Sequence, residues 1–417
     1  MDAINGSDAT HMRHILPSPS AMISGGSIAG LIAGLLLRKR GWNVMIAERS
    51  SQELSGRGAG IVTHRQLWQA LELAGIDGAE HDGVAVAERV TWHPDGRVAL
   101  RRPHRQIMTS WDRLFGLLRK RWGEDGYHLG RELCGVVQND DAVVANFIDR
   151  SELQADLLIG ADGIRSGVRS QAMGAAQPLY AGYVGWRGMV DEADLPREVH
   201  AELFERFGFC LPPGEQMIGY PVAGDGHDLR PGYRRYNFVW YRPAEEATTL
   251  VDLLTDTNGV VHGSAIPPGK IRADNISALR NAADEKLAPQ FAAIIHATKA
   301  PFLQPIFDLD AEVIVNGRVA LIGDAAFVAR PHIGAGVTKA CEDAVALAEA
   351  LDQNGNVAEA LHAYQRVRLP AGKRIVQRAR DLGRSLQAHM VSDAEREAAI
   401  LHHTPEAVML ENASMDF

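Results

Sequence analysis

Residues 21–37 are apolar apart from Ser and Gly, and Arg38, Lys39 and Arg40 follow them. The Ser24-Gly25-Gly26-Ser27 string divides this run. Its parts predict a short strand over 21–24, a tight turn over 25–30 and a buried helix over 31–40 stopped at Gly41, a residue suited to a helix C-terminus. A second apolar strand is predicted over 44–47. Strand, glycine turn, helix and strand in this order make a βαβ unit of a parallel sheet. A membrane span fits the run less well, because 17 residues fall short of the roughly 20 such a helix needs. A signal peptide would carry its positive charges in front of the apolar stretch, and here they come after it.

Runs at 155–159 and 318–322 are short and apolar, each closed by a Gly and an Asp. They suit buried parallel strands with polar function at their C-terminal ends. Between them, 183–190, 217–222 and 236–241 are aromatic-rich segments separated by Pro/Gly loops, the pattern of an antiparallel sheet. Helical patterns accompany them at 246–256 and 285–298, and others follow at 336–351 and 357–389. Pro370 is expected to break or kink the last near Leu369. Residues 1–19 have no periodicity and read as a disordered leader. The expected fold class is α/β with α+β elements. It comprises a discontinuous Rossmann-like nucleotide-binding domain (20–80, 104–175 and 306–352), an antiparallel substrate domain (81–103 and 176–305) and a helical C-terminal segment (353–417).

Composition narrows the function classes. Of 417 residues, 46% are hydrophobic and 23% charged, so the chain can bury real cores. A formal net charge of −9 argues against a nucleic-acid partner, which needs a basic surface. Cys134, Cys210 and Cys341 lie far apart with no CxxC pair. This predicts neither a disulfide framework nor a zinc site, and no metal, and it suits a reducing cytoplasm.

The chemistry sits in a few strings. In Gly25-Gly26-Ser27-Ile28-Ala29-Gly30, Gly25 serves a sharp bend, Gly30 a close helix–strand approach, and Ser27 takes the middle position facing a pyrophosphate at a helix N-terminus. Glu48 comes 18 residues after Gly30, where an acid accepts hydrogen bonds from ribose hydroxyls and repels a 2′-phosphate. FAD or NAD is therefore favoured over NADP. A second string is Asp156-x3-Gly160-Ala161-Asp162-Gly163-x2-Ser166-x2-Arg169, with Ser166 readable as a helix cap. A third is Gly323-Asp324-Ala325-Ala326, followed by Pro331, Gly334, Gly336, Ala340, Glu342 and Asp343. It sets a carboxylate and a fresh helix N-terminus at one crevice, which suits a ribityl hydroxyl and the reduced flavin's negative pyrimidine edge.

Together and in this order, the three strings resemble the single-component FAD-dependent aromatic hydroxylases, the para-hydroxybenzoate hydroxylase group, over roughly residues 21–351. The string 181–188 (Ala-Gly-Tyr-Val-Gly-Trp-Arg-Gly) and Arg330-Pro331-His332 are similar to the 2,6-dihydroxypyridine 3-monooxygenase branch. The resemblance implies bound FAD, with Gly25, Ser27, Ile28 and Gly30 on its pyrophosphate and Glu48 and Arg49 on its adenosine. It puts Asp162 near FAD and a visiting NADH or NADPH, Asp324 on the ribityl chain, and Gly334, Gly336 and Val337 behind the isoalloxazine. Arg57 and Ile61 would lie beside the ring. Two positions depart from relatives: Phe327 stands where many have His, and Trp111 where many have Arg, which leaves an Arg113–flavin contact in question.

The implied reaction is hydroxylation of an electron-rich aromatic or heteroaromatic ring, possible hydroxypyridines included, with NADH and O2 through a C4a-hydroperoxyflavin. Trp186, Tyr220, Trp240 and Pro331 are expected at the substrate. His332, then Arg187 and His64, are the candidates for a base or cation at its hydroxyl. Other FAD chemistry (dehydrogenase, epoxidase) and a non-catalytic Rossmann protein are the alternatives; the Trp-x-Trp-x-x-Ile string of halogenases is absent. The C-terminal helices suit a homodimer.

Overall fold

The computed structural model describes residues 18–56, 60–79, 82–174, 176–388 and 392–414. Residues 1–17 of the expected leader, and Arg57, lie outside these.

The βαβ reading holds. Strand Ser20–Ser24 lies parallel between Asn43–Ala47 and Leu157–Gly160, with Met22 opposite both Met45 and Leu158. Val319–Leu321 continues the sheet beside Leu157–Gly160, Val315–Asn316 forms one edge, and Tyr127–His128 the other. The strand ends are laced together: the Gly25 amide donates to Ala47 O, Ala161 N to Ser24 O and Ile322 N to Gly160 O, each at 2.8–2.9 Å. Segments far apart in the chain therefore end at one rim, as ligand sites in open parallel sheets require. Asp156 marks where the expected 155–159 run divides. Residues Glu152–Ala155 join an antiparallel sheet with Val143–Phe147 and Leu133–Gln138, while Asp156 accepts from Ser20 N at 2.7 Å. Helix Ile28–Lys39 starts three residues earlier than expected and packs on Gly336–Gln353.

A second sheet has nine strands and is mostly antiparallel. Its order is Phe327–Val328, Phe302–Asp310, Leu179–Asp191, Arg235–Pro243, Gln216–Val222, Arg206–Cys210, Val84–Trp92, Val98–Ser110, Gly60–Val62. One face is covered by helices Arg197–Leu203, Ala273–Lys286 and Pro289–Ala297, around a core holding Trp92, Trp186, Trp240 and Phe291. Residues of the other face pack with Leu386, Val408 and Ala413 of the C-terminal segment. The expected boundary at 103/104 falls inside strand Val98–Ser110, whose pairing with Val84–Trp92 is continuous across it apart from bulges.

Three helix expectations need correcting. The segment 285–298 straddles two helices, separated at Leu287–Ala288 where Pro289 opens the second. The pattern at 246–256 yields only a π-turn, Glu246–Leu250, and one short turn, Val251–Leu253. Pro370 does not break its helix, which runs Val357–Leu382 with Tyr364, Arg368, Ile375 and Val376 buried on both sides of it. Packing against the neighbouring helix and sheet outweighs the lost amide hydrogen bond. Among the described residues no helix is long and apolar enough to cross a membrane.

Candidate active site

Sterics shape the glycine turn. Gly25 has φ +108°, and a Cβ on it would sit 2.3 Å from Ala161 O; a Cβ on Gly30 would lie 2.0 Å from Gly25 O. Neither position admits a side chain. Glu48 closes the turn, accepting from the Gly26 amide at 2.8 Å and from Ser50 N at 2.9 Å, while Tyr127 donates its hydroxyl to Gly26 O at 2.9 Å. Ser27 holds the N-cap position in extended conformation with no cap hydrogen bond from its side chain, so its hydroxyl is unspent at the helix N-terminus.

The second string is tied to the third. Asp162 accepts from Ser166 Oγ at 2.5 Å and Val168 N at 3.1 Å, and Ser166 caps helix Gly167–Ala172 through Arg169 N. Burial raises the Asp162 carboxyl above its ordinary pKa, with those hydrogen bonds opposing it. Buried Arg169 donates to Ala325 O at 2.8 Å, Ile164 O at 2.6 Å and Ala176 O at 3.1 Å. In the third string, Gly323 takes φ +61° and its amide donates to fully buried Asp343 at 2.9 Å; Asp343 in turn accepts from Arg368 at 2.7 Å. Fully buried Lys339 donates to Phe327 O at 2.6 Å and lies 3.6 Å from exposed Asp324. Phe327 itself is core, packed where any side chain on Gly372 would collide with its ring.

All three strings open onto one cavity of about 780 Å³, lined also by residues of the nine-stranded sheet. Gly25, Ser27, Ile28, Glu48 and Arg49 line it, as do Asp162 and Asp324, and Gly334, Gly336 and Val337 line it at the start of helix Gly336–Gln353. Ile61, Arg187, Tyr220, Tyr241, Pro331 and His332 also line it, with Phe207, Ile218 and Val239 as apolar lining. Gly30 does not line the cavity; its role is the close packing beneath the turn. The cradle fits FAD: a side-chain-free turn at a helix N-terminus, a carboxylate for a ribose, and a second helix N-terminus at the ring end.

Strand parity corrects the substrate wall. Trp186 pairs with Trp240 across strands Leu179–Asp191 and Arg235–Pro243, and both point into the helix-covered core, away from the cavity. Their neighbours Arg187, Val239 and Tyr241 face it, because successive side chains alternate sides. Arg187 donates to Gln304 Oε1 at 2.6 Å, while its Nε is buried without a partner. Burial raises the Tyr220 phenol to about 12, opposed by the Arg187 charge.

His332 lines the cavity, yet both ring nitrogens are engaged: Nε2 with Tyr183 Oη at 2.8 Å and Nδ1 with Gln216 Oε1 at 3.0 Å. Burial, with Arg330 and His403 adding repulsion, lowers its pKa to about 3. A neutral ring donating to Gln216 and accepting from Tyr183 has no lone pair left for a substrate proton, which corrects its expected role as a base. Arg330 holds this loop through buried Asp308 at 2.8 Å. His64 is not in this cavity; it borders a separate cleft and its Nδ1 lies 3.0 Å from Thr338 Oγ1. Arg113 is committed to Asp82, 2.5 Å away, whereas Trp111 does line the cavity.

Several lining residues carried no sequence signal. Arg131 and Arg165 line the cavity, as do Asn412 and Ala413 from the C-terminal segment. Only the basic character of the first two could have marked them.

A family model described as FAD binding domain matches residues 19–220 and 305–379, and one described as FAD binding domain-like matches 180–308. The 2,6-dihydroxypyridine 3-monooxygenase of Paenarthrobacter nicotinovorans is 33% identical over 88% of this chain and 91% of its own. The solved structure of 2,6-dihydroxypyridine-3-hydroxylase from Arthrobacter nicotinovorans has a TM-score of 0.83 at 29% identity, covering 91% of this chain and 96% of that one. A Klebsiella pneumoniae protein solved with FAD and uric acid shares the fold at TM-score 0.70 and 23% identity, over 94% of this chain and 97% of its own.

Proposed function

The chain belongs to the FAD binding domain family, and on that premise we propose that it is an FAD-dependent monooxygenase. Its substrate is a small electron-rich ring of the hydroxypyridine class, and it uses NADH or NADPH with O2. The observation that carries the reading is one continuous cavity. Its lining brings together the Gly25 turn, Asp162, Asp324, the aromatic residues Tyr220 and Tyr241, and a cationic side chain, Arg187. When bound, FAD supplies the redox and oxygen-activating chemistry.

The chain's own residues supply orientation and electrostatics. Ser27 and the amides of the first helix turn hold the pyrophosphate, Glu48 the ribose, and Asp324 the ribityl chain. Arg187 stabilises negative charge on the substrate oxygen, which raises the electron density of the ring. Tyr220 and Tyr241 flank that oxygen. His332 stays neutral and holds Tyr183 and Gln216 in place. Phe207, Ile218 and Val239 keep water from the ring end, where an exposed site would release hydrogen peroxide. Unpaired Cys134, Cys210 and Cys341 support a reducing, cytoplasmic setting.

The test is direct. Purified protein is expected to be yellow and to consume NADH faster with 2,6-dihydroxypyridine, and the product is expected to carry one atom from isotopically labelled O2. NADH oxidation without oxygenated product, across hydroxypyridines and hydroxybenzoates, would replace hydroxylation with a dehydrogenase reading.

A further inference from the structure

The cavity has a wall from an unexpected part of the chain. Helix Pro405–Glu411, capped by Thr404, delivers Asn412 and Ala413 to it, although the matched FAD-binding residues end at 379. Ala413 takes φ +52°, and its amide donates to His332 O at 2.9 Å. It also borders a second, larger cleft of about 1370 Å³.

Arg89 holds this segment. It is 2% exposed and has no carboxylate partner among the described residues. Its guanidinium instead donates to Met409 O at 2.9 Å, Asn412 O at 2.7 Å and Ala413 O at 3.3 Å, with Gln106 Oε1 at 3.1 Å. A buried cation spent on the carbonyls of one short segment fixes the backbone of that segment. The side chain so placed is Asn412, 2% exposed, whose Nδ2 has no hydrogen-bond partner. A buried donor beside a ligand cavity is costly unless the ligand supplies an acceptor.

We infer that Asn412 is a substrate-recognition residue, donating through Nδ2 to an acceptor atom of the ring substrate, and that Arg89 is the positioning residue that holds it there. This rests on the hydroxylase reading above, and it adds a specificity element outside the shared FAD-binding segments. Together with Arg187 Nε, also buried and unpaired, it selects rings bearing acceptors over plain hydrocarbon rings.

Binding without turnover tests this, read as the change that 2,6-dihydroxypyridine, salicylate or 3-hydroxybenzoate makes in the absorption of the bound flavin. In Asn412→Leu, Kd for the ring that binds is expected to rise about tenfold or more. FAD content and melting temperature should hold, because the substitution removes an unpaired polar group. Arg89→Lys is expected to weaken the same binding and to speed amide exchange at 409–413. Wild-type affinity in Asn412→Leu would overturn the inference while leaving the hydroxylase reading intact. A wild-type flavin that responds to none of the three rings would sink both.

Discussion

Arg169 in the second string donates to the carbonyl of Ala325 in the third, 2.8 Å across 156 positions of sequence. With Ile164 O and Ala176 O as its other partners, one guanidinium ties together the two strings that carry Asp162 and Asp324. Arg169→Met strands these carbonyls. Stability is expected to fall by about 2–4 kcal/mol, and FAD affinity by roughly tenfold or more. Denaturant unfolding of the apoprotein and flavin titration check the two effects separately.

The two left-handed glycines of the first two strings should behave differently. Gly25 has both positive φ and a carbonyl in the place of a Cβ, whereas Gly163, at φ +80°, has open space around it. Gly25→Ala is expected to abolish FAD uptake. Gly163→Ala should cost only about 1 kcal/mol and retain the flavin. Flavin-to-protein ratio after reconstitution distinguishes them.

Strand parity makes a paired prediction. Trp240→Ala should destabilise by about 3–5 kcal/mol through the cavity it leaves in the helix-covered core, with the substrate KM unchanged. Arg187→Met, one position from Trp186 but on the other face, should leave melting near wild type and lower kcat/KM at least about tenfold. Equal effects on KM from both would contradict the assignment of faces.

His332 sets the sign of one pH effect. In the unfolded chain its imidazole titrates near the ordinary 6.5, but in the fold only at about 3. Between these values the unfolded chain binds a proton that the native state does not. Stability therefore falls as pH drops from about 6.5 toward 3, by up to ~1.4 kcal/mol per unit. His332→Gln should flatten that acid limb. It should also leave the shape of the kcat/KM profile unchanged between about pH 5 and 8, since His332 is neutral throughout that range. A profile whose inflection disappears in the variant would restore the imidazole as a titrating base.

Local sterics and periodicity made much of this protein readable along the chain. The Gly25–Gly30 turn, the strands at its two sides and the acid at Glu48 lie within some thirty residues and carry a local pattern, although Ala161 and Tyr127, which close the turn, come from far along the chain. The aromatic strands around Tyr220 and Tyr241 were likewise visible as elements. Which side each residue faces was not, because a shift of one residue exchanges the core for the cavity: Trp186 and Trp240 went to the helices, Arg187 and Tyr241 to the site. Pro370 was read by its local cost alone, and packing overrode it. The engagement of His332 by Tyr183 and Gln216, and the return of Asn412 to the cavity under Arg89, join positions more than 100 residues apart. No local pattern encodes such contacts; they exist only once two sheets, a loop and the C-terminal segment have packed around the same space.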